Sequence, residues 1–213
     1  MNTSSKTAAW ACLAVILTSA SGCLDLKKTY PEKRSFVLDV GTPQEETPAK
    51  GVIVLKINKL RVSPLFAGRA MVYRVADLQY ESDFYDEWFV APGTLVTQQA
   101  HQWLSRSAGF QIVVAGTNHV EPTHLLEGTV TEFYGDFRAT PRAVLGLELY
   151  LLDAMHERRP FFRRTYHQDV PLTERSSDAL ARGLTEALRV VLVDVAKDIV
   201  TVETNRSPNA AHP

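Results

Sequence analysis

The residues able to do chemistry are few and scattered. Six histidines occur, at 101, 119, 124, 156, 167 and 212. His119 and His124 lie five apart across Pro122. Two nitrogen ligands without a third nearby are a weak metal signal, and a solvated loop accounts for them equally well. His167 and Asp169 alternate on one face of a strand-like segment, with Ser176 and Ser177 just beyond. A nucleophile, base and orienter could be assembled from these, but no Gly-x-Ser-x-Gly elbow presents the serine. No His-Glu-x-x-His, phosphate-binding loop or Gly-x-Gly-x-x-Gly is found. The basic group Arg158, Arg159, Arg163 and Arg164 spans an expected hairpin. It reads first as a solvated turn, and secondarily as a contact for lipid headgroups or an acidic partner. No catalytic residue, metal ligand or cofactor site is therefore assigned.

The strongest chemical signal is a cysteine. Lys6 precedes an apolar run at 8–17, and Ala20-Ser21-Gly22 leads into Cys23. The run is too short for the ~20 residues that span a bilayer and reads as a cleaved export signal. Ala-Ser-Gly-Cys resembles the lipobox of bacterial lipoproteins, with Ala20 where leucine is usual. The resemblance implies cleavage after Gly22 and thioether lipidation of Cys23. Several acyl chains, such as palmitate, at about 0.8 kcal/mol per buried methylene would hold the protein on a membrane. Leu24 occupies the position where aspartate marks inner-membrane retention, so the expected address is the periplasmic face of the outer membrane.

Removing residues 1–22 from the 213 leaves 191, enough for one domain with a substantial core. Hydrophobic residues make up 45% and charged residues 22%, which excludes disordered and collagen-like classes. The net charge of -1 gives no nucleic-acid footprint. Both cysteines, Cys12 and Cys23, precede residue 24, so neither disulfides nor a cysteine nucleophile can serve the body of the chain. The expected organisation is a signal at 1–22, an anchor and tether at 23–35, a periplasmic domain at 36–202 and a disordered tail at 203–213.

Apolar periodicity supplies the elements. Residues 36–40 read as a short strand. Residues 51–62 alternate, with Ile53, Leu55, Ile57, Leu60 and Val62 on one side, and residues 69–75 alternate again; a hairpin joining the two through a short loop is expected. A helix is expected at 92–108, with Pro92 in its first turn and Gly109 beyond its end. A short strand follows at 111–115. Strands at 123–134, 143–153 and 161–170 should form an antiparallel meander. A long helix at 176–201 carries an apolar stripe from Leu180 to Ile199. One-sided strands need a cover, so the expected fold is α+β: a two-layer sandwich, mostly antiparallel, covered on one side by two amphipathic helices.

Between the second strand and the first helix, residues 80–92 interleave five aromatics with four acids. Aromatics dominate interface hot spots. Trp88 reads as core, whereas Tyr80, Phe84 and Tyr85 suit either core or a partner surface. Here the order Tyr73-Arg74, Asp77, Tyr80, Trp88-x-x-x-Pro92, Leu95, Leu104 resembles the ABC-type transport auxiliary lipoproteins, the PqiC-like family. The lipobox, Phe36-Val-Leu, Leu126-x-Gly128 and the terminal helix match the same layout. The resemblance implies a non-catalytic accessory of an MCE-type lipid transport system. Its partners would be an MCE-domain protein and the ABC permease and ATPase, and its copies would form a homo-oligomeric ring. Arg74, Tyr80, Phe84 and Tyr85 are the candidate partner contacts. An envelope assembly or secretion lipoprotein without an MCE partner, and a periplasmic hydrolase, are the alternatives.

Overall fold

A computed structural model describes residues 32–43, 51–116 and 120–206. The export signal, Cys23 and the segment 207–213 lie outside them, as does His119. The framework is three long strands, β7 (His124–Asp136), β8 (Arg142–Asp153) and β9 (Arg159–Pro171), paired antiparallel as a meander. Val130, Leu147 and Tyr166 sit side by side across it. Strict alternation puts Leu145, Leu147, Leu149 and Leu151 on one face, all buried. Each leucine withdrawn from water contributes about 1.5–3 kcal/mol of transfer free energy. On the β8–β9 connection, Glu157 and Arg158 adopt φ of 51° and 52°.

The other edge of β7 is shared. β2 (Ile53–Ile57), β3 (Arg61–Val62) and β4 (Ala70–Ala76) meet it one after another, all parallel to it. β6 (Phe110–Ala115) extends the sheet beyond β2, and β5 (Gln79–Trp88) then β1 (Arg34–Phe36) extend it beyond β4. The sheet has nine strands and is mixed.

This overturns the expected hairpin between 51–62 and 69–75. Those segments do not pair with each other; both pair with β7. The run 51–62 is also two strands. At Asn58–Leu60 the chain leaves the ladder: Asn58 Nδ2 donates to Glu127 Oε1 at 2.7 Å, the Leu60 N–H donates to Thr97 Oγ1 at 3.0 Å, and the Leu60 side chain turns into the core. The hairpin that does form joins β4 to β5.

α1 (Pro92–Leu104) begins on its proline and buries Leu95, Val96, Ala100, Trp103 and Leu104. It stops earlier than the spacing suggests, and Gly109 (φ +92°) instead opens β6. α2 (Ser177–Arg206) buries the full stripe Leu180, Leu184, Ala187, Leu188, Val191, Leu192, Val195 and Ile199. α2 packs against β8 and β9, while α1 lies against α2, β6 and β3. The class is α+β, and Trp88 is core, its ring 5.1 Å from that of Phe133. α2 continues to Arg206, and the Glu203 carboxylate accepts from His124 Nε2 at 3.0 Å, so the helix runs past 202.

Candidate partner-binding surface

The four sequence-derived contact residues all fall on the β4–β5 hairpin, in two different environments. Arg74 and Tyr80 face each other across the ladder, near the Asp77-Leu78 tip. The Arg74 guanidinium lies 5.7 Å from the Tyr80 ring centre, and Nη2 donates to the Asp77 carbonyl at 2.7 Å. Tyr80 packs edge-on against Tyr134 (5.6 Å) and Phe66 (6.3 Å). Burial pushes the Tyr134 hydroxyl above its ordinary pKa. Arg74 and Tyr80 are thus half-buried and engaged within the fold, where they stiffen the hairpin.

Phe84 and Tyr85 sit on a bulge. Ala70 faces Glu87 and Val72 faces Ser82, so β5 carries three more residues than β4 over this stretch. The excess is held in shape by a side chain. Asp83 Oδ1 accepts from the N–H groups of Tyr85 and Asp86, both at 2.9 Å, and Asp83 Oδ2 accepts from Tyr73 OH at 3.1 Å. Bulges re-aim side chains, and this one lifts Phe84 outward: it is 74% exposed. Its ring meets Tyr85 edge-on at 5.0 Å and lies 5.5 Å from the Lys33 ammonium. Leu78, at 98%, is the other large apolar side chain exposed on this hairpin before Phe89. Large apolar groups fixed in water by a stapled backbone are the chemistry of an interface anchor.

Behind the bulge lies a polar network that sequence reasoning missed. Asp86 is 6% exposed and receives two bonds from Arg34, Nε to Oδ1 at 2.8 Å and Nη2 to Oδ2 at 2.5 Å. Ser177 Oγ also donates to Asp86, and its oxygen lies 2.8 Å from Tyr73 OH. The Arg34 bonds hold the Asp86 carboxyl below the usual range, and burial pushes the Tyr73 hydroxyl up. One signal was available. Asp86 precedes Trp88 by two residues and so shares its core-facing side, where an acid requires a cation.

Among the described residues, Ser177 and His167 bond different partners and not each other. Ser177 is bound to Asp86 and Tyr73, whereas His167 Nδ1 bonds Glu132 Oε2 at 2.7 Å. His124 is buried and bonded to Thr123 and Glu203. Among the described residues no group of three His, Cys, Asp or Glu could hold a metal. The arginine cluster also divides: Arg163 pairs with Glu148 on β8, and Arg164 with Asp198 on α2. Arg158 and Arg159 are exposed at the β8–β9 turn.

The molecule is an α+β body with Phe84 exposed on a hairpin and its buried polar groups tied into structural networks. The chain matches the family described as the ABC-type transport auxiliary lipoprotein component over residues 36–196, and it belongs to that family. Its fold is similar to a crystal structure of a DUF330 protein from Xanthomonas campestris, with TM-score 0.73 at 15% identity, covering 82% of this chain and 99% of that one. A second crystal structure, of an uncharacterized protein, is similar with TM-score 0.61 at 18% identity, covering 76% and 99%. No curated protein sequence matches the chain. Among the described residues no helix is long and apolar enough to cross a membrane.

Proposed function

We propose that this protein is a non-catalytic lipoprotein, lipidated at Cys23 and held on the periplasmic face of the outer membrane, that docks an MCE-domain protein of an ABC transport system. The observation that carries this reading is the stapled bulge presenting Phe84. A fold that spends three extra residues and an aspartate to hold a phenylalanine in water has prepared a contact. Family membership supplies the transport context. Tyr85 and Leu78 widen the apolar patch, and Arg74 and Tyr80 keep the hairpin rigid, which lowers the ordering cost of binding. Several copies arranged as a homo-oligomeric ring would present this patch repeatedly to the end of one assembly.

The test is affinity purification of the full-length protein from gently solubilised envelopes, with Phe84→Ser and Cys23→Ala as paired variants. Recovery of an MCE-domain protein with the wild type, and its loss with Phe84→Ser, supports the proposal. Recovery only of secretion or outer-membrane assembly factors would replace it with the envelope-assembly reading.

A further inference from the structure

α2 carries more apolar surface than its core stripe uses. A second row, Arg189, Val193, Ala196 and Val200, runs beside the first and faces a cleft. The opposite wall comes from the end of α1 and the turn after it, with Trp103, Ala108 and Gly109. The cavity measures about 620 Å³, within the range of small-molecule sites. At 1.5 Å per residue, the row from Arg189 to Val200 extends about 16 Å. Its walls are mostly apolar, but its charges are of one sign: Lys197 stands on the rim and Arg189 at one end. Lys197 pairs with no carboxylate among the described residues; Arg189 pairs with Glu186 on its own helix. At Gly109 the two walls come together, since a Cβ there would lie 2.4 Å from Val200 Cγ2, so glycine is what allows this close approach.

We infer that this cleft binds a single-chain anionic amphiphile, with the acyl chain between Trp103 and Val200 and the anionic head at Lys197. An elongated apolar slot with cationic groups at its rim and end, and no acid among its described lining residues, matches one chain with one negative head. Free fatty acids and lysophospholipids share that chemistry.

The test uses the full-length protein in its membrane and a palmitic acid bearing a diazirine on its chain as the probe. After irradiation and digestion, the labelled peptides are mapped by mass spectrometry. Label is expected on the peptides containing Trp103 and residues 189–201. Ala196→Trp, which fills the slot, should cut that label at least five-fold, and Lys197→Glu several-fold. Circular dichroism and a thermal melt establish that each variant is folded. Competition by oleate points to a fatty acid and competition by lysophosphatidylglycerol to a phospholipid source; either supports an anionic amphiphile. Equal competition by neutral oleyl alcohol, label unchanged in folded Ala196→Trp, or no label in the cleft overturns the assignment. So does protection of the cleft by a protein partner or a second copy of the chain.

Discussion

Ser177, the first residue of α2, donates a 2.5 Å hydrogen bond to Asp86 on β5, 91 positions earlier in the chain. The contact joins the start of the long helix to the base of the bulge. Arg34 on β1 donates to the same carboxylate, and Tyr73 OH on β4 lies 2.8 Å from the Ser177 hydroxyl, so four elements meet in one polar network. The bulge is thereby anchored to the helical layer as well as to its own sheet.

Asp86→Ala should therefore lower stability by about 1–3 kcal/mol, because it strands the buried Ser177 hydroxyl without its acceptor. Chemical denaturation of the single variants and of Asp86→Ala with Ser177→Ala would measure this. The double variant should cost less than the sum, since the two share one bond.

Acid should reveal the same carboxylate. The folded-state pKa of Asp86 lies below the ordinary value of about 3.9. Burial would raise Asp153, but bonds from Arg206, His156 and the Met155 N–H bring it down to about 2. A depressed folded pKa contributes stability that is complete above the unfolded pKa and disappears as pH falls through the folded one. Melting temperature should be level from pH 7 to about 5 on account of these groups and decline below about pH 4. In Asp86→Asn the decline should be shallower.

Phe84→Ser should separate binding from folding. The side chain is largely in water, so stability should change by no more than about 0.5 kcal/mol. If the proposed MCE-domain partner is recovered with the wild type, its retention should fall at least ten-fold in the same preparation. Trp88→Ala, four residues away and buried against Phe133, should cost about 3–5 kcal/mol in a melt.

Gly51→Ala should impair folding. A Cβ there would lie 1.6 Å from the Gly109 carbonyl oxygen, and backbone cannot move aside as a side chain tip can. Lower soluble yield and a reduced melting temperature are expected, whereas Gly68→Ala, with no atom near its Cβ position, should be neutral.

The parts legible in the sequence were those set by nearest neighbours. The leucines of β8 alternate without interruption, and the stripe of α2 repeats over many turns, so the meander and long helix could be read directly. β5 could not. Its bulge breaks the alternation, and Asp86 looks like a surface acid until Arg34 and Ser177 are brought beside it. Residues 51–62 read as one strand because the break at Asn58–Leu60 is made by Glu127 and Thr97, both distant in the chain. The expected hairpin failed for a related reason: short strands following one another usually pair, but here each finds a separate stretch of β7. Arg74, Tyr80, Phe84 and Tyr85 all fall on the β4–β5 hairpin, while the burial that sets Arg74 and Tyr80 apart depends on Phe66 and Tyr134, distant in the chain.

The successive docking of β2, β3 and β4 along β7 has a consequence for the order of events in a chain delivered from its N-terminus. β2 and β3 emerge long before residue 124, and the β7 edge they share does not yet exist. Before then β4 and β1 can pair with β5, and β2 with β6, but nothing joins these pieces, and β3 has no partner. Until β7 has fully emerged, the first half presents open strand edges and bare leucines, the features that promote self-association. Completion waits longer still, because α2, which closes the core, comes last. Assembly of this domain is thus a finishing step rather than a progressive one, and a chain stalled before residue 136 holds strands that nothing has yet arrived to receive.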